Sequence, residues 1–264
     1  MKALTSRHNP LCKRIVRLQR QPQHYRDEQV ALLDGVHLLA EWVAHGRSRY
    51  ALTALLLDEA ALQHAEVGAL LPSIDPDVMY VCSPEVAGEL AQGHSSMHVQ
   101  ALIDVAAARA EPLQADAPAL LIDRVQDTGN VGSLMRTAAA AGVQQVVLSA
   151  GCAAAFSPKV MRAAMGAHFH LRVQEQADLG QVIDALTLPV YAADVSGTHS
   201  LYDAAVPLPC AWLVGSEGDG VAPQLLARCA QRLRIPQRGP QSMNVGAAAA
   251  VCLFESVRQA AQRG

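Results

Sequence analysis

Six short apolar runs in the second half of the chain, at residues 119–122, 146–149, 170–173, 189–193, 211–214 and 233–235, alternate with helical stretches. Strands joined through helices run the same way, because a parallel pair needs a crossover connection of about a dozen residues or more. That alternation predicts a mostly parallel sheet with helices on both faces, and so an α/β fold. Ligands of such sheets bind outside the carboxyl ends of the strands, which directs attention to the loops that follow them.

Residues 1–106 alternate in the same way and are expected to form a separate, smaller α/β domain. Strands are expected at 30–33, 52–57, 78–82 and 101–105, with helices from Pro10, over 36–45 and 59–71, and after Ser83-Pro84. Residues 107–118 contain two prolines and no periodicity, which predicts a linker to a second domain over 119–264. A length of 264 residues with 51% apolar content suits this division. No apolar run reaches the roughly 18 residues a membrane span requires. The first residues lack the apolar core of a secretion signal. Six cysteines lie scattered without a Cys-x-x-Cys pair, which argues against a disulfide framework or zinc ribbon and predicts reduced thiols in the cytoplasm. No metal is expected: no His-x-x-x-His pair occurs, and His168 and His170 are expected on one side of a strand.

Charge is unevenly distributed. Residues 1–26 carry seven cations and no acid, whereas residues 27–116 carry 3 cations and 14 acids. Around Asn9-Pro10, a cap followed by proline at the first helical position, Leu11, Ile15 and Leu18 repeat at helical spacing. Arg7, Lys13, Arg14 and Arg17 are thus expected to flank or line a basic helix face that contacts phosphate.

Three post-strand loops hold the unusual residues. In the first, Gly129 and Gly132 flank Asn130, a candidate helix cap, and Arg136 follows in the helix. The second runs Gly215-Ser216-Glu217-Gly218-Asp219-Gly220, with one carboxylate at its tip. The third begins at Ile235-Pro236 and reaches a helix through Ser242-Met243-Asn244-Val245. Ser242 and Asn244 both suit a helix N-cap, and only one can serve, which frees the other at a helix end rich in unpaired N–H groups. None of the loops has the spacing of a dinucleotide fingerprint, and no phosphate-binding Walker loop is present.

Taken in register, Asn130-x-Gly132-x-x-x-Arg136, Gly215-x-Glu217-x-x-Gly220 and Ile235-Pro236 with Ser242-Met243-Asn244-Val245 resemble the three motifs of the SpoU/TrmH family of RNA ribose 2′-O-methyltransferases, within the SPOUT superfamily. Residues 151–166 look like the same family, and the first hundred residues resemble the substrate-binding domain of its ribosomal RNA branch. The resemblance implies a C-terminal SPOUT domain closed by a deep trefoil knot, a homodimer and S-adenosylmethionine as cofactor. It implies a cofactor pocket formed by Val214, Gly215, Ser216, Ile235, Met243 and Asn244. It implies a catalytic set of Asn130, Arg136, Glu217, Ser242 and Asn244, with Arg136 also meeting RNA. The expected substrate is structured RNA, ribosomal in preference to transfer RNA. The alternatives are a transfer-RNA enzyme, a non-catalytic ribosome-assembly factor on the same fold, and a nucleotide-dependent metabolic enzyme. Departures from the family pattern are Met243 for leucine, Gly246 for serine, Gln237 for methionine and Asp34 for glutamate.

Overall fold

The computed structural model describes residues 1–91, 97–239 and 243–262. The chain forms two compact units. The first comprises residues 1–110 with 156–169, and the second comprises residues 111–155 with 170–264. The division falls between Ala110 and Glu111, just after the short helix Ala106–Arg109. Segment 156–169, however, groups with the first unit, whereas a domain read as one continuous stretch assigns it to the second.

The first unit is built on β1 (Lys2–Leu4), β2 (Val30–Asp34), β3 (Leu52–Leu57), β4 (Met79–Cys82) and β5 (Val99–Asp104), in the order β1-β4-β3-β5-β2. β1, β4 and β3 are parallel, and β5 runs antiparallel to both β3 and β2. β1 has no sequence signal of its own: it is three residues long and gains its order by pairing with an existing edge. The helix expected over 59–71 is broken into Glu59–Leu62 and Ala65–Leu70.

The basic helix is Pro10–Arg20. Asn9 caps it by accepting from the Leu11 N–H, and Cys12, Ile15 and Leu18 form its buried stripe. Much of its charge is already engaged. Arg14 pairs with Glu28, Arg17 meets the His24 ring, and Arg7 lies 3.7 Å from Glu85. Lys13 is exposed with no ion-pair partner among the described residues.

The helix Pro158–Ala164 explains why segment 156–169 belongs here. Arg162 pairs with Asp34 at the end of β2, and the Phe156 ring sits 5.8 Å from Tyr25 and 5.0 Å from His168, centre to centre. His168 lies in the single turn Ala167–Phe169, and the next strand begins only at Arg172. The expected strand over 170–173, with both histidines on one side, is therefore corrected.

The second unit is a seven-stranded sheet of β6 (Ala119–Asp123), β7 (Gln145–Ser149), β8 (Arg172–Ala177), β9 (Val190–Ala193), β10 (His199–Ser200), β11 (Ala211–Gly215) and β12 (Gln231–Arg234). The order is β10-β12-β9-β11-β6-β7-β8, and every pairing is parallel. β6 and β11 lie side by side and are apolar over 119–122 and 211–214, as strands covered on both faces are, with Asp123 the one buried acid at the end of β6. The C-terminal helix Val245–Ala261 is tied down where Trp212 Nε1 donates to Ser256 Oγ at 3.0 Å. All six cysteines are free, and burial pushes the Cys82 and Cys252 thiols up to about 12. No described helix is long and apolar enough to cross a membrane.

Candidate active site

The three loops singled out in the sequence meet at the carboxyl ends of β6, β11 and β12. The helix after β6 is Thr128–Ala140, and its cap is Asp127, whose Oδ1 accepts from the Asn130 N–H at 2.7 Å. Asn130 is therefore not the cap that its sequence position suggests. Relieved of that task, its side chain turns to the other loops: Nδ2 donates to Glu217 Oε1, and Oδ1 accepts from Asn244 Nδ2 at 2.9 Å. Asn244 performs two roles. Its Oδ1 caps the C-terminal helix by accepting from the Gly246 and Ala247 N–H groups, while its Nδ2 also reaches Glu217 Oε1 at 3.2 Å. Of the two candidate caps, Asn244 is the one that serves; Ser242 lies outside the described residues. Side chains from three loops, as far apart as 114 residues, thus close one triangle of hydrogen bonds.

The glycine loop is shaped by close backbone approach. A Cβ on Gly215 would lie 2.2 Å from the Gly220 carbonyl carbon, and Ser216 and Gly220 form an antiparallel bridge that brings the chain back on itself. Gly220 has φ +66°, in the left-handed region where glycine is favoured.

One residue with a large structural task has no signal in the loop motifs. Asp123, at the end of β6, is 3% exposed. Its Oδ2 accepts from the Ala222 N–H at 3.0 Å, and its Oδ1 accepts from Ser149 Oγ at 3.2 Å. Arg124, at φ +55°, folds back onto the same carboxylate and donates to the Gly220 carbonyl at 3.2 Å. This clasp holds the glycine loop from below. A single acid at the end of an apolar strand is what sequence offers here, and an exposed acid looks the same. Asp123→Asn removes a charged acceptor from buried donors and should lower stability by about 1–3 kcal/mol, read by urea unfolding.

Beside the glycine loop lies a cleft of about 550 Å³, a size suited to a small molecule. Val214, Gly215, Ser216 and Met243 of the expected cofactor set line it, together with Glu217; Ile235, which is half-buried, and Asn244 are not among its lining residues. Asp194, Asp219 and Arg232 also border it; Arg232 pairs with Asp194 at 2.7 Å and Arg124 lies 3.7 Å from Asp219, so the charges at its rim are paired. Asn130 and Asn244 attach to its edge through Glu217. Arg136 lies six residues beyond Asn130, about 9 Å further along the helix. It is exposed, makes no hydrogen bond or ion pair among the described residues, and is not among the lining residues.

Comparison with known proteins gives consistent results. The profile of the SpoU rRNA methylase family matches residues 117–254. An uncharacterized tRNA/rRNA methyltransferase of Synechocystis is 30% identical over 97% of this chain and 94% of its own length. The 23S rRNA guanosine 2′-O-methyltransferase RlmP of Bacillus subtilis is 38% identical over 54% of this chain and 59% of its own. Among solved structures, an AdoMet-bound rRNA methyltransferase of Sinorhizobium meliloti superposes with a TM-score of 0.80 at 25% identity, covering 97% of each chain.

Proposed function

Because this chain belongs to the SpoU rRNA methylase family, whose members use S-adenosylmethionine, we propose that it methylates the ribose 2′-hydroxyl of a nucleotide in structured RNA, ribosomal rather than transfer RNA. The observation that carries the reading is the Asn130–Glu217–Asn244 triangle, closed beside a small-molecule cleft with an unengaged arginine on the same helix as Asn130. The 2′-O chemistry is that named for RlmP, and the ribosomal preference rests on the first unit, which a minimal transfer-RNA enzyme would not need.

The residues present fit the cofactor. Backbone packed as closely as at Gly215 and Gly220 offers polar groups without side chains in the way, and Val214 and Met243 suit an adenine. S-adenosylmethionine supplies an electrophilic methyl group when bound. Val214, Gly215, Ser216 and Met243 would hold it, and Ile235 and Asn244 would support the surrounding loops. The ribose hydroxyl is a poor acid, and a guanidinium stays protonated under almost all conditions. Arg136 therefore holds the adjoining RNA phosphate and favours the oxyanion rather than abstracting the proton. Asn130, Glu217 and Asn244 fix the loops around it, with Ser242 as a further polar group of the third loop. The trefoil knot, the homodimer and the cytoplasmic location belong to this same reading.

Total RNA from a strain lacking the protein is the decisive substrate. Incubation with the purified chain and labelled S-adenosylmethionine should place one methyl on a ribose; label on a base, or none, overturns the reading. A non-catalytic assembly factor would bind the RNA and leave it unlabelled. A further prediction concerns docking through the basic helix. Lys13→Gln should reduce the salt slope of RNA binding by about 1, whereas Arg14→Gln should change it less, because Glu28 already balances that charge. Binding measured across a salt series decides.

A further inference from the structure

Residues 221–254 carry four arginines and no acid, in a chain whose net charge is −3. Arg228 pairs with Asp184, and Arg232 pairs with Asp194. The side chains of Arg234 and Arg238 are exposed and have no hydrogen-bond or ion-pair partner among the described residues. Arg234 closes β12, two positions after Arg232 and on the same side of the strand, while Leu233 between them is buried on the other. Arg232 lines the cleft beside the glycine loop, so Arg234 continues that side of the strand toward its carboxyl end. The loop from β9 to β10 lies against this stretch: a Cβ on Gly197 would be 2.7 Å from the Arg232 carbonyl oxygen and 2.9 Å from the Arg234 nitrogen. Val195 in that loop is 74% exposed and lines the cleft. Ser200 of β10 is the register partner of Arg234, and the Leu201 N–H donates to the Arg234 carbonyl at 2.9 Å. Tyr202 follows at once. Its N–H donates to Ser200 Oγ at 3.2 Å, and Leu201 beside it is buried, so the backbone beneath the ring is fixed. The ring is 56% exposed, and neither it nor its hydroxyl has a partner among the described residues.

An exposed aromatic or an exposed arginine by itself is ordinary surface. Here the two are adjacent, on fixed backbone, and the loop that carries the ring also supplies the rim of the cleft. Single-stranded nucleic acid is held by this combination, with bases stacked on aromatic faces and cations along the phosphates. RNA is read in the same way where its bases leave the helical stack. Asp203, exposed beside the ring, offsets part of the positive charge, so a free phosphate gains little here and the ring is what sets the patch apart. We infer that Tyr202 and Arg234 form a platform for a single-stranded part of the RNA substrate. An unpaired base stacks on the ring, and the guanidinium holds its phosphate through two donors. The inference rests on the reading that RNA is the substrate, and it names where an unpaired stretch of that RNA lies against the second unit.

The test uses the full chain and a labelled single-stranded oligouridylate, with affinity read by fluorescence anisotropy across a salt series. Tyr202→Ala should weaken binding by about tenfold, the scale of one base stacked on an aromatic ring. Tyr202→Phe should match the parent chain, because the ring and not the hydroxyl makes the stack. Arg234→Gln should reduce the salt slope by about 0.7, the value for one phosphate of a single strand. All three variants should bind S-adenosylmethionine and unfold in urea as the parent does, since the side chains they replace make no polar contact among the described residues. Parent affinity in Tyr202→Ala would overturn the platform, as would an equal loss in Tyr202→Phe or an unchanged slope in Arg234→Gln. A change of oligomeric state in Tyr202→Ala, read by light scattering with oligouridylate affinity unchanged, would assign the ring to a second copy of the chain and overturn it too. Any of these failures in a chain that still binds S-adenosylmethionine leaves the methyltransferase reading in place. The full set of expected differences in a chain that does not bind the cofactor would support the platform and count against methyl transfer.

Discussion

Arg136→Ala will bind S-adenosylmethionine within about twofold of the parent chain and lose methyl transfer to RNA by about 100-fold or more, on the scale of removing a single oxyanion donor. The separation of the two effects follows from where the residue sits. Arg136 is not among the residues lining the cofactor cleft, and it makes no hydrogen bond or ion pair among the described residues, so its removal breaks nothing in the folded chain. Its helix is held by the Asp127 cap and by Val131, Leu134 and Met135 on the buried face, and alanine suits a helix interior. The loss therefore falls on the substrate side. Arg136→Lys should recover little of the rate, because an ammonium cannot hold a phosphate through two parallel donors. Calorimetry with the cofactor and single-turnover labelling of RNA separate the two quantities. Full activity in the alanine variant would leave the methyl-transfer mechanism without its cation.

The parallel sheet was legible because β6 and β11 are apolar at consecutive positions, short, and separated by stretches with helical character. The polar set was legible as a group but not in its wiring. Asn130 looks like a helix cap, and Asp127, three residues earlier, is as good a cap; which one serves depends on the Glu217 carboxylate 87 residues away. Ile235 follows the same limit: its place in the motif suggests the pocket wall, but loop conformation decides which way it packs. The grouping of residues 156–169 with the first unit could not be read along the chain at all. It depends on Phe156 finding Tyr25 and on Arg162 finding Asp34, contacts that leave no periodic trace. β1 was invisible for a related reason, since three residues acquire a strand conformation only from a neighbour. Asp123 was passed over because burial, not residue type, makes its carboxylate a clasp.

Gly215→Ala will abolish cofactor binding, whereas Gly218→Ala, three residues away in the same loop, will leave it near the parent value. A methyl at position 215 would stand 2.2 Å from the Gly220 carbonyl carbon, 2.3 Å from its oxygen and 2.3 Å from the Val221 nitrogen. These are backbone atoms, fixed on the far side by Asp123 through the Ala222 N–H and by Arg124 through the Gly220 carbonyl, so the overlap cannot be relieved by turning a side chain. The Ser216–Gly220 bridge must open, and Glu217 then loses its aim at Asn130 and Asn244. Overpacking of this kind costs about 1–3 kcal/mol of stability, and the cleft beside the loop changes shape with it. At position 218 an added Cβ meets nothing within 4 Å and the backbone needs no left-handed φ, so alanine there is a control for helical or strand propensity alone. Titration with S-adenosylmethionine, set beside urea unfolding of both variants, distinguishes a reshaped cradle from a generally weakened fold. Gly215→Ala binding the cofactor as tightly as Gly218→Ala would mean that the glycine loop does not cradle it.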